Sequence, residues 1–184
     1  MSCCRKTIKD EIDEFLTHSI SLPIDSMQSA DEFLYSGSHK QIPKRNYIYV
    51  HYIDTMQCTG CEIKHLKDWV RLENRTEEKG FNVFYAFVLA PSSYLLGDVR
   101  KALSRDTLLN SQIFIDTCNA FLRANPHIPS NPLLHSFLLD ENDSVILVGN
   151  PVRNKKIEEL FFKILEEKKE EHNAQKTTNN SISK

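Results

Sequence analysis

No apolar run in this sequence approaches the length of a membrane span. The longest, residues 83–90, falls far short of the ~20 residues a spanning helix needs. The opening Met1-Ser2-Cys3-Cys4-Arg5-Lys6 has no hydrophobic stretch, so no signal peptide is read there. An excess of one charge is also missing: 23 Lys+Arg stand against 25 Asp+Glu, for a net charge of -2. With a pI near 6.4, the chain offers no basic surface, and nucleic acid is not expected as a partner. Five cysteines are too few for a disulfide scaffold. A metal site also lacks its donors. His51 and His65 lie near one Cys-x-x-Cys, but no second such pair exists, and zinc normally takes four ligands or three plus water.

What remains is a globular composition with 40% hydrophobic and 26% charged residues and a mean hydropathy of -0.41. At 184 residues the chain has room for one domain of ordinary size. Ile8, Ile12, Phe15 and Leu16 place a charged amphipathic helix at the start. A polar connection follows over residues 17–45, compatible with a short element near Asp31–Tyr35. Residues 47–53 are β-branched and aromatic with almost no polar alternation, which suits a strand buried on both faces. Ile63, Leu66, Trp69, Val70 and Leu72 then recur at helical spacing. Residues 81–89 read as a second buried strand, and Leu95, Val99, Ala102 and Leu103 as another helix.

A short strand at 113–115 and a brief helix through Ala120, Phe121 and Leu122 follow. Pro126, Pro129 and Pro132 make residues 125–134 a loop. Strands at 135–139 and 145–148, joined by Asp140-Glu141-Asn142-Asp143-Ser144, form a hairpin. Ile157, Leu160, Phe161, Ile164 and Leu165 mark a last helix, and the charged and polar residues beyond it read as a disordered tail. Strand–helix–strand units with a late hairpin predict an α/β fold with a mixed central sheet flanked by helices. The expected division is 1–44 as an N-terminal helix and polar extension, 45–166 as the domain, and 167–184 as the tail.

The chemistry concentrates at Cys58-Thr59-Gly60-Cys61, between a buried strand and a helix. A helix N-terminus presents free N–H groups and the positive end of the dipole, so a thiolate is favoured there. A second cysteine about one turn on can attack a mixed disulfide and release the product. The expected asymmetry is an exposed, acidic Cys58 and a shielded Cys61. Two structural thiols or a stable disulfide are the plainer reading. Cys118 reads as a small buried hydrophobe, and His51 and Tyr52 as satisfied interior groups.

The segment 47–53 running into Cys58-Thr59-Gly60-Cys61 resembles a thioredoxin-fold thiol–disulfide oxidoreductase, as do Ser136-Phe137-Leu138-Leu139-Asp140 and Val145-Ile146-Leu147-Val148-Gly149-Asn150-Pro151. Ile113-Phe114-Ile115-Asp116 resembles the extra strand region of the envelope-facing, membrane-anchored branch. The resemblance implies Cys58 as attacking thiolate and Cys61 as resolving thiol, acting on protein or small-molecule thiols and disulfides. It implies no organic cofactor, but a reductant or oxidant that recycles the pair. Tyr52 stands where many members carry a buried proton-accepting acid, and Leu134 where they carry a cis-proline. Leu134 and His135 are therefore the expected substrate-binding residues, and the surface around them is what a non-catalytic protein- or peptide-binding module would use instead. Cys3-Cys4 resembles the lipidated end of a bacterial lipoprotein. That implies membrane anchoring in the cell envelope, with a cytoplasmic protein as the alternative.

Overall fold

The computed structural model describes residues 6–35, 45–54, 57, 59–105 and 112–182, with side chains through residue 172. The chain divides into two compact units, Met1–Gly149 and Asn150–Lys184. The first is organised by one six-stranded sheet of order β1-β4-β3-β2-β5-β6. Strand β2 (Tyr47–Ile53) lies between β3 (Val83–Leu89) and β5 (Ser136–Leu139). It pairs in parallel with β3 from Tyr47↔Val83 to Ile53↔Leu89. With β5 it pairs antiparallel, from Ile48↔Leu139 to His51↔Ser136. Strand β4 (Ile113–Ile115) continues the parallel set beyond β3, and β6 (Val145–Val148) closes the hairpin with β5.

Both faces of β2 are covered, which is why its sequence does not alternate. Tyr49 and His51 face Trp69, whose ring also meets Tyr85 and Phe87. Trp69 lies on α4 (Lys67–Glu78), within the β2–β3 crossover. On the other face Val50 and Tyr52 join a cluster that includes Phe15, Phe121 and Phe137. Phe15 comes from α1 (Ile8–Phe15) and Phe121 from α6 (Ala120–Ala124). Burying each such aromatic contributes ~1.5–3 kcal/mol relative to leaving it exposed.

Several expectations are refined. The pattern from Ile63 to Leu72 is two helices, α3 (Thr59–His65) and α4, with a change of axis at Leu66. Residues 17–45 are more than a connection. They hold β1 (Gln28–Ser29), antiparallel to β4, and α2 (Ala30–Tyr35), which packs beside α5 (Leu96–Leu103). A bridge between Ser19 and Ser144 ties the same segment to the hairpin turn. The second unit is not a helix with a disordered tail, because α7 runs over Lys155–Ile182. Asn154 caps it by accepting from Lys156 N–H at 3.0 Å. Lys163–Glu167 and Lys168–Glu171 pairs, four and three residues apart, carry the helix through the charge run. Among the described residues no helix is long and apolar enough to cross a membrane.

Candidate functional site

The site lies at the C-terminal ends of the parallel strands, the usual ligand edge of open α/β sheets. Ala90 N–H donates to Ile53 O at 2.8 Å and Asp116 N–H to Leu89 O at 2.8 Å, so the chain leaves β2, β3 and β4 at one edge. His135 enters from β5 at the same edge, its carbonyl accepting Tyr52 N–H at 2.8 Å.

Beyond β2 the backbone is held by a reciprocal clamp. Gln57 N–H donates to Asp54 Oδ1 and Asp54 N–H to Gln57 Oε1, each at 3.1 Å. Cys58 lies outside the described residues. Thr59 opens α3 and is buried, its hydroxyl without a hydrogen-bond partner. A Cβ on Gly60 would meet nothing within 4 Å. Cys61 is engaged in a disulfide.

Cys61 is exposed rather than shielded. The buried face of α3 is set by Thr59 and Ile63, four residues apart. At ~100° per residue Cys61 turns about 200° from Thr59, toward solvent. Cys118 is also exposed and free, not buried. The buried Asp116 explains it. Its carboxylate accepts from Cys118 N–H at 3.3 Å, and from Ala120 N–H and Phe121 N–H at 2.8 Å each. These bonds cap α6 and leave the intervening turn, with Asn119 at φ 53, outside the core.

Two histidine–carboxylate pairs flank the dithiol motif. His51 is buried, as expected of an interior group. Its Nδ1 lies 2.7 Å from Ser136 Oγ and its Nε2 3.6 Å from Glu62 Oε2, the residue after Cys61. His135 is also buried, with Nε2 2.8 Å from Pro129 O and Nδ1 3.6 Å from Asp54 Oδ2. Burial pushes the His135 imidazole below its ordinary range, with the Pro129 bond and Asp54 opposing. Tyr52 stacks 5.1 Å from that ring. Burial pushes its phenol well up, and Asp54 and Asp116 add to the effect.

Leu134 and His135 are both 3% exposed, so neither side chain forms a docking surface. The described peptide bonds are all trans, including the one before His135. Among the described residues, Tyr94, 80% exposed, and Leu133, 74% exposed, are the most exposed of the large hydrophobic side chains. Sequence reasoning missed Asp54 and Glu62. The only local signal was a histidine within a core strand and another directly before one. Among the described residues no group of three or more His, Cys, Asp or Glu could hold a metal.

No protein-family model and no curated relative matches the sequence. Solved structures with a similar backbone include an uncharacterized thioredoxin-like protein from Porphyromonas gingivalis, at TM-score 0.48 and 17% identity over 82% of this chain and 93% of that one. A Chlorobium tepidum protein assigned as the thiol:disulfide interchange protein DsbE is similar at TM-score 0.45 and 18% identity, over 65% and 80%. A Cytophaga hutchinsonii domain assigned as a thiol-disulfide isomerase is similar at TM-score 0.44 and 16% identity, over 75% and 87%. The chain's own topology is a mixed sheet in which β2 and β3 pair in parallel and an antiparallel β5–β6 hairpin lies beyond β2.

Proposed function

We propose that this protein carries out thiol–disulfide exchange, with Cys58 and Cys61 as the reacting pair. The observation that supports it is the disulfide on Cys61, in the first turn of a helix at the ligand edge of the sheet. We assign Cys58 as its partner from the spacing. In the reduced protein the Cys58 thiolate attacks a substrate disulfide, and Cys61 then displaces the bound product. Substrates are protein or small-molecule disulfides, and a separate thiol or disulfide recycles the pair. An oxidising envelope compartment suits a resident disulfide, and we place the protein there. The binding-module reading draws no support from Leu134 and His135, which are buried.

Insulin reduction with dithiothreitol as recycling reductant tests the proposal. Wild type should precipitate insulin faster than the Cys58→Ser, Cys61→Ser double variant; equal rates would overturn the reading. Equilibration with glutathione then gives the direction of electron flow. A potential near about -270 mV marks a reductant, and one near about -120 mV an oxidant.

A further inference from the structure

We propose that residues 8–22 form a strap laid across the β5–β6 hairpin and the proline-rich loop, and that uptake of a proton at His127 loosens it. The device concerns how the N-terminal segment is held and does not depend on the exchange reading above.

Two sets of contacts seat the strap. On the hairpin side, Ile20 N–H donates to Asp143 O at 2.9 Å and Val145 N–H to His18 O at 3.0 Å, with Ser19 bridged to Ser144. Phe15, 1% exposed, stands edge-on to Phe137 of β5 at 5.1 Å. On the loop side, the Asn125 amide accepts Ser21 N–H and donates to Ser21 O, each at 2.8 Å. The His127 ring lies 4.2 Å from the His18 ring, tilted by 19°, and 6.3 Å from the Phe15 ring. His127 thus meets both α1 and the residues that follow it.

The contact at His127 excludes a proton. Its Nε2 is buried and has no hydrogen-bond partner. A neutral imidazole can leave that nitrogen as a lone pair. An imidazolium carries N–H on both nitrogens, so it would bury an unsatisfied donor together with its charge. Across the stack stands a second imidazole, where a carboxylate would be needed to offset that charge. Burial accordingly holds the His127 imidazole below its ordinary range, with His18 adding and a hydrogen bond to the Ser19 backbone opposing.

Charged groups on the surrounding elements are engaged elsewhere. On α1, Glu14 pairs with Lys6. On α6, Arg123 donates to Cys118 O. In the hairpin turn the Asp143 carboxyl is raised by burial, and Asp140 adds to the effect, but its titration starts from 3.8 and stays below the histidine range.

With the strap lifted, the His127 ring meets water and takes a proton freely. The closed form is therefore favoured fully above about pH 6.5 and is weakened as pH falls below that value. One such histidine multiplies the open fraction by at most about tenfold at pH 5.5. Burial of Phe15 and Ile20 keeps the closed form dominant, so acid makes opening more frequent without unfolding the sheet. The loop that the strap pins also carries Pro129, whose carbonyl lies 2.8 Å from His135 Nε2. Strap and candidate site share that support.

Hydrogen–deuterium exchange read by mass spectrometry at pH 7.5 and 5.5 is the test, with rates corrected for the intrinsic pH dependence of amide exchange. Wild-type peptides within residues 8–22 should exchange about five- to tenfold faster at pH 5.5, while peptides from β2 and β3 change by less than about twofold. His127→Phe keeps a flat ring in the stack and has no proton to gain, so its strap should change by less than about twofold. His127→Gln, a second variant that cannot titrate, should be equally flat. Equal wild-type rates at the two pH values would overturn the proposal. So would strap and sheet loosening together, or a strap that responds like wild type in either variant folded by circular dichroism.

Discussion

Asn125 shows how much one side chain can hold. It is 1% exposed, and its amide reaches across 104 residues to Ser21, accepting Ser21 N–H and donating to Ser21 O, each at 2.8 Å. The same amide donates to Phe121 O in the first turn of α6. Asn125→Ala removes three bonds and leaves both backbone groups of Ser21 without their partner. At about 1 kcal/mol per net bond, and more for each buried group left unpaired, the loss should be about 2–4 kcal/mol. Urea unfolding followed by tryptophan fluorescence measures it, and a midpoint equal to wild type would show that the clamp contributes nothing. The residues missed by sequence reasoning are of this kind. Asp54 is four residues before Cys58, but what it does depends on His135, which reaches it only through the β2–β5 register.

Elements were more legible than their partners. The strands at 113–115 and 145–148 lie where the apolar runs put them, and the one at 47–53 matches β2 over its whole length, because continuous β-branched and aromatic residues mark burial on two faces. Strand β1 was not legible: two residues have no periodicity, and their strand character comes from pairing with β4. The break between α3 and α4 was hidden by an apolar pattern that runs through it. The region after α1 also carries a pH response. His127, in the proline-rich loop, stacks on His18 at 4.2 Å and 19°, and burial, with His18 adding, holds its imidazole below the ordinary value. A lowered histidine binds its proton more weakly folded than unfolded, so its contribution is present above about pH 6.5 and is lost as pH falls through the folded value. His135 acts in the same direction. Asp143, whose carboxyl is raised by burial and by Asp140, acts oppositely, in a window just above its ordinary value of 3.8. The urea midpoint should therefore fall between pH 7.5 and 5.5, and His127→Phe should flatten that fall. An unchanged slope in the variant would remove His127 from the account.

At the scale of the whole molecule, the charge balance makes its own prediction. With a net charge of -2 and only 23 cationic side chains among 184 residues, the protein should leave a heparin column before about 0.15 M salt, because polyanion affinity follows the number of phosphate- or sulfate-neutralising contacts. Retention beyond that point would reveal a basic surface that composition conceals.

The pairing of β2 with β5 also has a consequence for synthesis. His51 and Ser136 meet across 85 residues of chain. At roughly 5–20 residues per second, the ribosome takes about 4–17 seconds to make the intervening segment. Throughout that interval β2 lacks its β5 neighbour, and for most of it Cys58 and Cys61 are already made. Any link they form then is formed on an unfinished sheet. Cys118 emerges before β5 and finishes on a solvent-facing turn, so a stray bond to it would stay within reach of the surrounding thiols instead of being sealed in when the last strands arrive.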